Sequence, residues 1–260
     1  MKECPKTSEL IKKNKSIDYN AILSAKTSWT DPDFGKDGSV IAWVDQEEWG
    51  TVAQYIDYVK WRKLSTYENG MYKNEWRLWG DNGAQPDDVK QGFLNNCWFF
   101  GAIQSMAENK GTIEALFNTN DTKLNDAGIY AVNFRLLGNP VTVYVDDWMP
   151  FITMSKGKTT TLFGDVTDTN KAIWPLIMEK AYAKLHGNYE HMDRGSPTSA
   201  LFNLTGVPAV YYDHDKEDQA HVWAMLKEHT ANKDHVQCQT RPSSMVDNKH
   251  GLVSSHIYSI

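Results

Sequence analysis

The sequence predicts an α+β chain in which helices and antiparallel strands occupy separate stretches. Three observations carry this. Apolar residues recur at helical spacing over Cys97 to Ala107 and again over Lys171 to His186; alternation runs from Tyr130 to Leu136 and resumes from Val141 to Val145; and a strand-like pattern runs from Leu252 to Ile260. With 260 residues and 41% hydrophobic content, the chain is long and apolar enough to bury a substantial core.

Residues 1–26 carry Lys and Glu throughout and read as a polar, loosely held N-terminal extension. Trp29-Thr30-Asp31-Pro32-Asp33-Phe34-Gly35 then opens a turn-rich entry to the globular part. Between Gln54 and Trp79 aromatic and charged residues mix without a clean period, which leaves the local structure open. The Cys97–Ala107 helix places Phe99, Phe100, Ile103, Met106 and Ala107 on its apolar side, with Asn96 suited to the N-cap. In the hairpin, Tyr130, Val132, Phe134 and Leu136 alternate with Ala131, Asn133 and Arg135. Leu137-Gly138-Asn139-Pro140 breaks the run before Val141, Val143 and Val145 resume it. The 171–186 helix tolerates Pro175 in its first turn, aligns Ile173, Ile177, Ala181 and Leu185, and stops at Gly187. Leu204-Thr205-Gly206 reads as a joint, beyond which the pattern becomes strand-like.

Composition removes several function classes. A net charge of -6, a pI near 5.7 and the lack of any Lys/Arg block argue against nucleic acid or an anionic membrane as the main partner. No apolar run reaches the ~20 residues a membrane span needs, and the N-terminus lacks the apolar stretch of a signal peptide. Cys4, Cys97 and Cys238 are too few and odd in number for a disulfide framework, which points to a reducing, cytoplasmic setting. The 10 Trp are scattered and read as core and cleft lining. His235-Val236-Gln237-Cys238 with His250 lacks the second ligand pair of a zinc site. Asp213-His214-Asp215 reads as an exposed turn. Asn14-Lys15-Ser16, Asn120-Asp121-Thr122 and Asn203-Leu204-Thr205 match glycosylation acceptors, which carry little meaning in such a compartment.

The segment with most chemical content is Gln91-Gly92-Phe93-Leu94-Asn95-Asn96-Cys97-Trp98-Phe99-Phe100. A cysteine in the first turn of a helix has its thiolate favoured by the helix dipole and free backbone N–H groups, and only the thiolate is a competent nucleophile. Asn96 caps without charge, whereas an Asp would set a negative charge beside the thiolate. From helix position alone, a buried structural cysteine on an aromatic helix is the commoner reading. Gln91, upstream across a turn containing Gly92, is near enough to supply an oxyanion donor. A thiol nucleophile also needs a base, usually imidazole. Among eight histidines, His256 stands out for its place on an alternating strand beside the small residues Ser254 and Ser255.

The same segment resembles the active-site pattern Q-G-x-L-G-D-C-W-F-L of the calpain family of papain-like cysteine proteases. Three further stretches are similar to that family in the same order. They are Gly128-Ile129-Tyr130 with Val145-Asp146-Asp147-Trp148-Met149-Pro150, the helix from Trp174 to Glu190, and Gly251 to Ile260, which resembles the histidine strand G-L-V-x-G-H-A-Y-S-V. The resemblance implies a papain-like fold with a mainly helical first subdomain over 27–205, carrying the nucleophile, and part of a β-rich second subdomain over 206–260. It implies Cys97 as nucleophile, His256 as acid/base and Gln91 as oxyanion donor in the hydrolysis of protein substrates through an acyl-enzyme. It places Trp98, Gly195 and Ser255 at the substrate cleft, Gly195 on the wall where an extended substrate backbone pairs.

Departures from the pattern accompany the matches. Asn95-Asn96 stands where the family has Gly-Asp, and Ser255 where it has the glycine before the histidine. The asparagine that orients the imidazole in the family falls some two dozen positions after the histidine, past Ile260. The 260-residue chain is therefore expected to show little or no proteolysis, and the alternative function is an inactive calpain-like module that binds proteins. The resemblance also implies a calcium site with Asp81, Gly83 and Asp88 as oxygen donors. The helix position that is acidic in the family is Ala172 here, so a plain solvated acidic loop is the competing reading.

Overall fold

The computed structural model describes residues 16–42, 52–66, 76–119, 122–155, 157–167, 169–242 and 251–260, together with Ser8, Glu9, Lys12 and Asn14. Among the described residues run the helices α1 (Tyr19–Ala25), α2 (Cys97–Ala107), α3 (Trp174–His186), α4 (Pro197–Thr205) and α5 (Gln219–Ala231). The strands are β1 (Lys60–Lys63), β2 (Ile129–Leu136), β3 (Asn139–Asp146), β4 (Trp148–Thr153), β5 (Thr159–Thr161), β6 (Gln237–Gln239) and β7 (Ile257–Ser259). Among the described residues these strands pair antiparallel, in a sheet ordered β1-β4-β5, the hairpin β2-β3 and the pair β6-β7. The mixture is α+β, as the sequence predicts. Cys4, His250 and the Asn120-Asp121 pair lie outside the described residues.

The hairpin follows from its alternation. β2 and β3 pair from Ile129–Asp146 to Leu136–Asn139. Two residues, Leu137 (φ 50°) and Gly138 (φ 80°), make the turn. Positive φ at both central positions is the twist that matches paired strands, and Gly138 adopts it without a Cβ penalty. Because successive side chains point to opposite faces, Tyr130, Val132 and Phe134 enter the main core while Ile129 and Ala131 form a second cluster with Tyr19 of α1. The end of the N-terminal extension is thus docked rather than loose. Asp18 caps α1 by accepting from the Ala21 N–H (3.0 Å), Tyr19 lies 5.6 Å from Tyr144 ring to ring, and Asn14 Nδ2 donates to the Thr142 carbonyl (3.1 Å).

Helix α3 begins at Trp174, three residues later than its periodicity suggests. Lys171 instead takes a left-handed φ of 53°, and the backbone from Lys171 to Trp174 bonds to Arg77 and Leu78. The Arg77 N–H donates to the Lys171 carbonyl, the Ile173 N–H to Arg77, and the Trp174 N–H to Leu78. The expected single apolar stripe is also replaced, since every residue from Trp174 to Leu185 is buried. A helix buried on all sides must pair its charges, because an unpaired ion in a low-dielectric interior costs several kcal/mol. Lys180 Nζ donates to Asp146 and to the Trp148 carbonyl (2.6 Å), and Lys184 Nζ to Asp31 (2.7 Å) and the Tyr144 carbonyl (2.8 Å). Asp31 in turn uses its other oxygen to accept from the Asp33 and Phe34 N–H groups, which shapes the entry turn. A third buried pair, Lys63–Asp147 (2.7 Å), ties the end of β1 to the residue joining β3 and β4.

After Gly206, which ends α4 in the left-handed region (φ 77°), the strand-like expectation needs correction. The terminal strand forms as β7 and pairs with β6, but the intervening chain carries the 13-residue helix α5, capped by Asp218 accepting from the His221 N–H. Asp213 Oδ1 accepts from the Asp215 N–H in an exposed turn, as expected. The unread 54–79 stretch contains a 3-10 turn (Ala53–Tyr58) and the edge strand β1.

Lys180→Met is expected to destabilise the fold by about 3–5 kcal/mol in urea denaturation, because it strands Asp146 as a buried, uncompensated charge. A loss below about 1 kcal/mol would show that the pair does not anchor the hairpin to α3.

Candidate active site

Cys97 opens α2 at the N-terminal end predicted from sequence, and its side chain is partly exposed while Trp98 to Ile103 behind it are buried. The cap differs from expectation in its chemistry. Asn96 occupies the N-cap position and its carbonyl accepts from the Phe99 (2.9 Å) and Phe100 (3.1 Å) N–H groups, but its side chain makes no cap bond. Asn96 Nδ2 donates instead to Glu179 Oε1 of α3 at 2.6 Å, and Glu179 Oε2 accepts from the Gly164 N–H at 2.8 Å. Burial pushes Glu179 up to about 7, opposed by the hydrogen bonds from Gly164 and Asn96. The folded chain thus holds this proton more tightly than the unfolded one. The stability that protonation contributes is fully present below the ordinary carboxyl range and is lost as pH rises through about 7.

The loop before the nucleophile is fitted closely to the 162–165 segment. The Phe93 N–H donates to the Leu162 carbonyl, the Asp165 N–H donates to the Lys90 carbonyl, and Lys90 Nζ pairs with Asp165 (2.6 Å). A Cβ on Gly92 would meet the Phe163 carbonyl oxygen at 1.8 Å, so only glycine allows this approach. Gln91 stands beside this contact, with Nε2 donating to the Leu94 carbonyl at 2.6 Å. Its amide is therefore directed at the turn, not free in front of Cys97.

On the other side of Cys97, the Asn95 N–H donates to Asp193 (3.1 Å) and the Arg194 N–H to the Asn95 carbonyl (3.0 Å). Trp98 Nε1 donates to the Met192 carbonyl (2.9 Å), and a Cβ on Gly195 would lie 2.2 Å from the Trp98 ring. Gly195 and Trp98 thus meet as one wall next to the nucleophile, with Gly195 exposed.

His256 reaches the same region through β7. Its neighbour Ile257 is buried against α2, where a Cβ on Gly101 would come within 2.7 Å of Ile257 Cγ2. The His256 backbone is held on both sides by Thr240, whose Oγ1 accepts from the His256 N–H (2.9 Å) and whose N–H donates to the His256 carbonyl (2.9 Å). Ser255 takes a positive φ of 50°, and its N–H donates to the Arg241 carbonyl. The His256 ring packs edge-on to Tyr258, 5.0 Å between centroids, and burial lowers its pKa from the ordinary imidazole value. The structure therefore brings the thiol's helix and the imidazole's strand into direct contact, although no hydrogen bond joins the two side chains among the described residues. Cys238, paired with Tyr258 across β6-β7, is a second free thiol that burial pushes up.

The proposed calcium ligands are engaged by protein groups. Asp88 is fully buried; its Oδ1 accepts from Asn170 Nδ2 (2.7 Å) and its Oδ2 from Trp174 Nε1 (2.7 Å) and the Gln85 N–H (2.9 Å). Asp81 is exposed and ion-paired with Arg77, and Gly83 (φ 84°) donates its N–H to the Gly80 carbonyl. Ala172, where the resemblance calls for an acid, is buried and bridged to Arg77. Three N–H donors around one carboxylate are a poor setting for a hard cation, which needs those lone pairs itself. Among the described residues no group of three or more His, Cys, Asp or Glu is placed to hold a metal. The residues in this arrangement do not fit calcium.

A family profile described as calpain family cysteine protease matches residues 29–260. Calpain clp-4 of Caenorhabditis elegans is 34% identical over 187 residues, covering 68% of this chain and 25% of that protein. The calpain-type cysteine protease DEK1 of Arabidopsis thaliana is 39% identical over 139 residues, 54% of this chain and 6% of its own length. Human calpain-14 is 31% identical over 174 residues, 66% of this chain and 24% of its own. The chain thus spans a quarter or less of these relatives.

Asp88→Ala is expected to destabilise the protein by about 2–4 kcal/mol in urea, since it leaves the buried Trp174 and Gln85 N–H groups unpaired. Millimolar calcium is expected to leave the wild-type melting temperature unchanged; a rise that Asp88→Ala abolishes would assign the loop to a cation.

Proposed function

Since the chain belongs to the calpain family of cysteine proteases, we propose that the protein it represents is a thiol endopeptidase, with Cys97 as nucleophile and His256 as general base. The observation that carries this reading is the seating of Ile257 on Gly101, which fixes the histidine's strand on the nucleophile's own helix. In the proposed reaction the thiolate attacks a peptide carbonyl carbon, and the imidazolium formed with it protonates the departing amine. A water then deprotonated by His256 cleaves the thioester and regenerates the thiol. Backbone N–H groups at the start of α2 face the developing oxyanion, and Gln91 joins them once its amide leaves the Leu94 carbonyl. The Trp98–Gly195 wall, with no side chain at Gly195, leaves its backbone open to an extended substrate, and Ser255 flanks the opposite side. The substrate class is accessible, unfolded protein segments. A thiolate nucleophile suits a reducing compartment, which we take to be the cytoplasm.

A protein-binding module without turnover is the second reading, favoured by the Gln91 amide being committed to Leu94. The two readings part on one assay. The intact protein is expected to cleave reduced, denatured casein and to be blocked by iodoacetamide, with Cys97→Ala at least about 10³-fold slower; equal rates in that variant would sink the assignment. Because a general base works when neutral and burial lowers the His256 pKa, the acidic limb of kcat/KM is expected below pH 6.5, the ordinary imidazole value. A limb at higher pH would contradict His256 as the base.

A further inference from the structure

We propose that Asn96 and Glu179 form the positioning pair of the nucleophile, and that the amide at 96 keeps this pair hydrogen-bonded at alkaline pH, where two carboxyl groups would part. The proposal rests on Cys97 being the nucleophile. Asn96 is fully buried directly before Cys97, and its side chain turns away from the cap it was expected to make, toward α3. Glu179 receives that amide on one oxygen and the Gly164 N–H on the other. One carboxylate thereby joins three segments: the first turn of α2, the centre of α3, and the 162–165 loop whose Phe163 carbonyl lies against Gly92.

Among the described residues no cation pairs with Glu179. Its neighbours on α3, Lys180 and Lys184, are taken by Asp146 and Asp31. The titratable group that faces it from another segment is the buried phenol of Tyr189, whose ionisation is disfavoured first by burial and then by Glu179 and Asp146. The ring of Phe100 closes the remaining side, near Gly164. Among the described residues the charge in this enclosure is met by N–H dipoles alone, those of Asn96 and Gly164. The Asn96 Oδ1 atom, buried and without a hydrogen-bond partner, is the acceptor that a protonated Glu179 would use after rotation of the amide. The pair therefore keeps a hydrogen bond in both protonation states.

A carboxyl at position 96 would behave differently. At low pH one proton is shared between the two acids; once both ionise, like charges meet where 2.6 Å now separates donor from acceptor. The added charge would also stand next to the Cys97 thiolate and disfavour it.

The test uses N96D and N96D/E179Q beside wild type, reading melting temperature and Cys97 alkylation by iodoacetamide from pH 6 to 9. Cys97 is followed by peptide mapping, with Cys97→Ala as blank. For N96D the melting deficit relative to wild type is expected to widen by at least several degrees from pH 6 to 9, with Cys97 alkylation at pH 8 about tenfold slower, the equivalent of one pKa unit. N96D/E179Q exchanges donor and acceptor, so it should regain the wild-type melting profile while its alkylation curve stays displaced to higher pH. A deficit constant across pH, or a double variant that declines like N96D, overturns the proposal. Should N96D not fold, the double variant alone decides it. Neither readout requires peptide hydrolysis, so failure here is separate from failure of the protease reading.

Discussion

Helix α3 is buried on every side yet carries Glu179, Lys180 and Lys184, and the need to pair those three ionisable groups fixes the segments packed around it. Each charge recruits a different segment. Lys184 holds the entry turn through Asp31, Lys180 holds the hairpin's end and the start of β4 through Asp146 and the Trp148 carbonyl, and Glu179 holds the nucleophile's turn. Apolar burial supplies the bulk of the driving force but is non-directional. Buried ions with satisfied hydrogen bonds instead penalise any arrangement that separates them from their partners. In this chain the register of segments around the site follows from that penalty.

The site itself is a meeting of elements remote in sequence. The thiol's position comes from α2, whose place is fixed by Trp98 on the 192–195 wall, Gly101 under Ile257, and Asn96 on Glu179. The imidazole's position comes from β7, a strand of three residues that leans on α2 as much as on β6. Glycines at 92, 101 and 195 mark the close approaches; at each, a methyl group would collide with a carbonyl, a side chain or a ring. The catalytic geometry is therefore a packing result, and small residues at those points matter as much as the reactive ones.

Sequence made part of this legible. The Cys97–Ala107 helix and the Ile129–Asp146 hairpin have clear periods, and both formed where their patterns indicated. The start of α3 was not legible, because Lys171 turns into the left-handed region and residues 171–174 bond to Arg77 and Leu78, nearly a hundred residues away. Helix α5 was missed since it buries no residue and so shows no stripe, though Asp218 three residues before His221 was an available N-cap signal. Side-chain commitments were the hardest to foresee. Asn96 as a cap, Gln91 as an oxyanion donor and Asp88 as a metal ligand each fit their residue type; Asn96 and Asp88 were claimed by partners elsewhere in the fold, and Gln91 by the Leu94 carbonyl in its own turn. The Gln85-Pro86-Asp87-Asp88 turn did offer a hint, since a carboxylate three residues after the turn's start commonly accepts from the backbone there.

The dependence of the nucleophile's placement on the buried Glu179 carboxylate is tested most directly by hydrogen exchange on Glu179→Ala, resolved by segment. Faster exchange is expected in both 93–100 and 162–165, two stretches separated in sequence, while 129–146 keeps its wild-type protection because Lys180 and Lys184 still hold it. Wild-type protection of 93–100 in that variant would contradict the account.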